Sequence, residues 1–141
     1  MIQSVAFIGL GAMGYRMAAH LPKHFDTVYV WNRNFAKAEQ HAAEYGTQAV
    51  ELAQAVQADI IFSCLPTSTE VENLIAQIQL KAGSVWVDCT SGTPESAKKL
   101  QATLATQQVQ FLDAPVSGQT IGAENATLTF MVGGHEDAFH Q

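Results

Sequence analysis

A mostly parallel, doubly wound α/β sheet is the fold that the sequence predicts, and three observations predict it. Apolar runs rich in Val, Ile and Phe recur at residues 5–8, 27–31, 59–64, 84–88 and 109–112. Ala-, Gln- and Glu-rich stretches with helical spacing lie between them. The first apolar run leads directly into glycines at positions 9, 11 and 14. Parallel strands need crossover connections, and strands covered by helices on both sides read as continuous apolar runs. The pattern is that of a Rossmann-type sheet, with residues 1–141 forming one domain.

Taken in order, residues 5–8 form the first buried strand. The segment 15–21 is amphipathic, and Pro22, which lacks an N–H and clashes with the preceding turn, stops it. A second strand over Thr27–Trp31 arrives at the distance a βαβ unit requires. Helical spacing over Phe35–Tyr45 and a short strand at 47–49 complete the first half. The second half alternates helix 50–56, strand 59–64, helix 70–79, strand 84–88, helix 95–106 and strand 109–112. From Ala114 the pattern changes. A glycine-containing loop leads to a β-rich run at 127–132 that ends in Gly133 and Gly134, read as an extra strand appended to the sheet.

Composition narrows the function. A chain of 141 residues with a hydrophobic fraction of 48% buries a core without staples. Lys and Arg total 7 against 13 Asp and Glu, a net charge of −6, so no basic stripe exists to neutralise nucleic-acid phosphates. No apolar run approaches the roughly 18 residues of a membrane span, and no basic flank or cleavage site marks a leader, so a cytoplasmic location is expected. Cys64 and Cys89, in no metal or redox spacing, are expected as small core or pocket residues.

Glycines 9, 11 and 14 have the spacing G-x-G-x-x-G between a strand and a helix. Gly9 permits the tight turn, Gly11 lets a pyrophosphate approach the backbone, and Gly14 lets the helix pack closely on the strand, so a dinucleotide site is expected. Leu10, Ala12 and Met13 fall in the same loop. An Asp or Glu about 20 residues on usually takes the ribose hydroxyl of NAD. That place reads Trp31-Asn32-Arg33-Asn34, without a carboxylate, and an arginine fork suits a 2′-phosphate, so NADP is favoured over NAD.

Ligands of such sheets lie beyond the carboxyl ends of the strands, where small hydroxyl residues gather. These are Cys64-Leu65-Pro66-Thr67-Ser68, Asp88-Cys89-Thr90-Ser91-Gly92-Thr93-Pro94 and Asp113-Ala114-Pro115-Val116-Ser117-Gly118. Ser68 and Thr93 also read as helix N-caps.

Together with Gly-Leu-Gly-Ala-Met-Gly-Tyr-Arg-Met-Ala at 9–18, these motifs resemble the β-hydroxyacid dehydrogenases, the family of 3-hydroxyisobutyrate and 6-phosphogluconate dehydrogenases. The resemblance implies NAD(P)-dependent interconversion of a small 3-hydroxy acid and its semialdehyde or keto form. It implies cofactor contacts by Leu65, Pro66 and Ser91, with Cys64 and Thr67 in the same loop, and a substrate carboxylate held by Ser117 and Gly118. The Asn32-Arg33 pair resembles the NADP-using members. The chain departs from the family where Gln119 replaces a glycine of the substrate loop and Ala126 stands where another is usual. The family's helical second domain, with its Gly-x-x-Gly-x-x-x-Lys segment, is matched by none of residues 1–141, and the expectation is a chain without it. Lys23, Lys37, Lys81, Lys98 and Lys99 are expected at solvated helix surfaces or ends, so no catalytic residue is assigned within the chain.

Five histidines invite a metal or triad reading, but Pro22 breaks the helix between His20 and His24, and His135 and His140 lie in the tail. All five are expected at the surface and no metal is expected. No zincin, nucleophile-elbow or P-loop motif occurs. The expected function is therefore the cofactor-binding domain of an NADP-dependent 3-hydroxy-acid oxidoreductase, inactive alone and able to self-associate as a homo-oligomer. The alternatives are a non-catalytic NADP(H)-binding module and a small reductase completed by a partner chain.

Overall fold

The structure, a computed structural model, describes residues 4–90, 94–113, 116–117, 129–130 and 133–134. β1 (Ser4–Ile8) is central, and its residues alternate between two packed faces. Ala6 and Ile8 join Ile61, Trp86, Leu100, Leu104 and Phe111 in one core. Phe7 turns the other way, onto Leu10, Ala18, Val30 and Ala38. Burial on both sides explains the unbroken apolar run, because neither face of the strand meets water.

The chain continues through α1 (Ala12–Ala18), a 3-10 turn (Leu21–Lys23), β2 (Thr27–Trp31), α2 (Phe35–Tyr45), β3 (Gln48–Ala49) and α3 (Leu52–Ala55). It then forms β4 (Ile60–Ser63), α4 (Ser68–Ile75), β5 (Val85–Asp88), α5 (Pro94–Ala105) and β6 (Gln110–Asp113). Pro22 sits inside the 3-10 turn, and α1 has already ended before it. Helix α2 closes on Gly46, whose φ of 78° supplies the left-handed cap that lets its N–H reach the Ala42 carbonyl.

The main sheet runs β3-β2-β1-β4-β5-β6 and ends in a strand at Gly133–Gly134, β9; it is parallel from β3 to β6. The order reverses between β1 and β4, which places the switch point beside the glycine turn. The expected appended strand needs a correction. The described strand that joins the sheet is β9 (Gly133–Gly134), lying antiparallel to β6 with Asp113 opposite Gly133. Within the run at 127–132, β8 (Thr129–Phe130) pairs instead with β7 (Val116–Ser117) in a separate two-stranded sheet. A β-rich composition identifies a strand but not its partner, which is chosen by long-range packing.

The surface expectation for histidines fails at His41, which is fully buried. Its Nδ1 lies 2.8 Å from the Thr47 hydroxyl and its Nε2 3.0 Å from the Tyr15 carbonyl oxygen. A carbonyl only accepts, so Nε2 donates to it and Nδ1 accepts from Thr47. With both ring nitrogens satisfied, the imidazole ties α2 to α1 and to the turn before β3. The signal was its spacing of three from Ala38, the other buried residue of α2. Lys81 is exposed, in line with the solvated expectation, and pairs with Asp59 at 2.6 Å ahead of β5.

Candidate functional site

The glycine turn is built by sterics. Gly9 has φ of 99°, a conformation that side chains resist, and a Cβ there would overlap the Cys64 carbonyl oxygen. At Gly14 a Cβ would collide with the Gly9 carbonyl oxygen and come within 3.0 Å of the Phe7 ring. Those two glycines let α1 sit against β1 and β1 against β4. Gly11 differs: with φ of −73° it is unstrained, and a Cβ would meet nothing within 4 Å. The space over the start of α1 is therefore open, and the first N–H groups of that helix have no partners within it.

Asn32 braces this turn from β2. Its Oδ1 accepts from the Leu10 N–H at 2.8 Å and its Nδ2 donates to the Asn34 carbonyl at 3.0 Å. Leu10 is thus withdrawn from the cleft, with its N–H engaged and its side chain 1% exposed. Asn34 is exposed and occupies the N-cap position of α2.

On the other side of the switch point, a buried polar network holds the ends of β4 and β5. The Ser63 hydroxyl donates to Asp88 Oδ1 at 2.9 Å and accepts from Trp86 Nε1 at 2.8 Å. The same Asp88 oxygen accepts the Thr90 N–H at 3.0 Å, and Thr90 Oγ1 accepts the Leu65 N–H at 2.9 Å. Cys64 lies beside this network, where burial and then the Asp88 charge push its thiol up to about 11. It stays protonated at neutral pH and is not a ready nucleophile.

These two constructions form the walls of a cleft of about 240 Å³. It brings together Gly9, Gly11, Met13 and Gly14 with Asn32 and Arg33, and sets Cys64, Leu65 and Pro66 opposite. A neighbouring cavity of about 420 Å³ continues past Arg33 and Leu65 between Trp31, Leu52 and Leu74. Ala12 is exposed on the outer side of α1, away from both. Thr67, not Ser68, is the N-cap of α4, its side chain accepting the Glu70 N–H. Glu70 lines both cavities and was missed in the sequence, because it enters from α4 rather than from the end of β2. Ser91, Thr93, Gly118 and Gln119 lie outside the described residues, and Ser117 is described only as part of β7. Among the described residues no group of three His, Cys, Asp or Glu could hold a metal, and no helix is long and apolar enough to cross a membrane.

Comparison with known proteins fits this architecture. The family model described as the NAD binding domain of 6-phosphogluconate dehydrogenase matches residues 4–141. The chain is 42% identical to 2-(hydroxymethyl)glutarate dehydrogenase of Eubacterium barkeri, with 97% of this chain and 48% of that protein covered. It is 36% identical to NAD-dependent L-serine dehydrogenase of Pseudomonas aeruginosa, covering 99% of this chain and 49% of the relative. The structure of Mycobacterium tuberculosis 3-hydroxyisobutyrate dehydrogenase with L-serine superposes with a TM-score of 0.92 at 31% identity, over 99% of this chain and 49% of that one. The chain spans about half the length of the curated relatives it matches. On this evidence the chain belongs to the family of 6-phosphogluconate and 3-hydroxyisobutyrate dehydrogenases, and corresponds to their NAD-binding domain.

Proposed function

We propose that this chain is the cofactor-binding domain of an oxidoreductase acting on a small 3-hydroxy acid or its semialdehyde, with NADP(H) preferred over NAD(H). The observation that carries the reading is the convergence on one cleft of an open glycine turn, an arginine at the end of β2 and a braced loop after β4. The open space over Gly11 fits a pyrophosphate, which would meet the free N–H groups of α1. Arg33 is exposed at the mouth, placed to grip a 2′-phosphate with its fork of donors. The larger cavity, with apolar walls from Trp31, Leu52 and Leu74 and side-chain amides from Asn73 and Gln77, suits an adenine ring.

When bound, the nicotinamide supplies or accepts a hydride. The chain's own contribution is positioning: Thr90 and Asp88 fix the Leu65 amide, so the Leu65-Pro66 wall keeps its place at the switch point. Ser91, Ser117, Gly118 and Gln119 are proposed to meet cofactor or substrate beyond it. The proton donor is proposed to lie in the half of the enzyme that this chain does not match. Replacing Arg33 with Ala tests the nucleotide preference. One lost charge-assisted contact is worth roughly 1.5 to 3 kcal/mol, so NADPH should bind about 10- to 150-fold more weakly in calorimetry, with NADH little changed. Equal losses for both nucleotides would remove the NADP assignment.

A further inference from the structure

Charge and position coincide at the junction of the two cavities. Of the described residues that line them, Arg33 and Glu70 alone carry a formal charge, and with Leu65 they are the residues common to both. They come from different elements: Arg33 follows the end of β2, and Glu70 belongs to the first turn of α4. Arg33 is exposed and Glu70 half-buried. No ion pair joins them among the described residues, in which Lys81 pairs with Asp59 and Lys99 with Glu72. Two opposite charges therefore stand at the junction of the cavities without neutralising each other directly.

Glu70 also occupies the last position of a Thr-x-x-Glu capping box. Thr67 performs its half, its hydroxyl accepting the Glu70 N–H at 3.3 Å. The reciprocal bond, from the Thr67 N–H to the Glu70 carboxylate, is not formed among the described residues. Glu70 lines the cleft, and its carboxylate is not spent on the cap.

We propose that Glu70 is a specificity-determining residue that acts against Arg33 in reading the ribose 2′ position; this rests on the dinucleotide reading above. A 2′-phosphate brings up to two negative charges to the junction, where it gains from Arg33 and is repelled by Glu70. An unphosphorylated ribose is spared that repulsion, and its hydroxyls can donate to the carboxylate. Arg33 thus raises the affinity ratio of NADPH to NADH, and Glu70 lowers it. The acidic residue missing from the end of β2 is in effect supplied from the opposite half of the sheet.

The test is calorimetric titration of the unaltered chain, Glu70→Gln and Glu70→Asp with NADPH and with NADH, at low and at physiological salt. Glu70→Gln should raise the NADPH to NADH affinity ratio about 3- to 10-fold at low salt, as expected for removing one charge several ångströms from a phosphate in a water-filled cleft. The shift should shrink as salt is added, and Glu70→Asp should keep most of the parent ratio. A purely structural role in α4 would weaken both nucleotides together and leave the ratio unmoved. A ratio within about twofold of the parent, with both nucleotides still bound, overturns the role of Glu70 and leaves the dinucleotide reading standing. Failure of the unaltered chain to bind either nucleotide overturns that reading, and this proposal with it.

Discussion

The two walls of the cleft are built on opposite principles. The wall from β1, α1 and β2 is shaped by absent side chains: Gly9 and Gly14 allow backbone to touch backbone, and Gly11 leaves space empty. The wall from β4 and β5 is shaped by buried polar side chains, Ser63, Asp88 and Thr90, which hold a loop through a chain of hydrogen bonds. The first can be damaged by adding atoms, the second by removing them.

The largest effect should follow Gly14→Val, which forces a branched side chain into the Gly9 carbonyl and the Phe7 ring. Backbone cannot move aside without parting α1 from β1, so a loss of about 4 kcal/mol or more is expected in denaturant unfolding. On the other wall, Asp88→Ala leaves the Ser63 hydroxyl and the Thr90 N–H without their acceptor in a buried site. A loss of about 3 kcal/mol is expected, with Asp88→Asn milder because it keeps an acceptor oxygen.

Gly11→Val sharpens the contrast within the glycine turn itself. Its Cβ enters open space at an ordinary φ, so the unfolding midpoint should barely move. Nucleotide affinity should fall by about 100-fold or more, because the branched side chain fills the space a pyrophosphate needs. Retained thermal stabilisation by NADPH in this variant would mean that the turn serves the fold alone.

The smallest effect concerns the outer brace of the first wall. Burial lowers the pKa of His41 from 6.5, opposed by its bond to the Tyr15 carbonyl and by Glu44. The folded state therefore holds the neutral ring, while the unfolded chain takes up a proton as pH falls through 6.5. The stability from this group is complete above that pH and declines below it. The thermal midpoint should drop on moving from pH 7 to pH 5, and less so in His41→Gln.

The same contrast decides what could be read in advance. Gly9, Gly11 and Gly14 fall within six positions after an apolar run, so their spacing located the turn, although the carbonyl that presses on Gly9 belongs to the distant Cys64. The Leu65 to Thr90 bond joins residues 25 apart, and each partner taken alone is an ordinary loop or turn residue. Glu70 was hidden for a related reason. A search for a carboxylate at the end of β2 looks along one strand, whereas the cleft is assembled from elements on both sides of β1. His41 was read by its polarity, although its helical spacing from Ala38 already placed it on the inner face. Thr129 and Phe130 pair with Ser117 and Val116, a choice of partner that local composition does not record.

Both margins of the seven-stranded sheet are two-residue strands, β3 at one side and β9 at the other. A long bare margin would offer an unfilled row of N–H and carbonyl groups to any extended peptide, and sheets of this kind otherwise grow by recruiting one. Among the described residues the ladder narrows to two residues at each limit, and β9 reverses direction against β6. An incoming strand would find too few groups in register to hold it. The central parallel strands can therefore be almost wholly apolar without making the domain a template for fibrils.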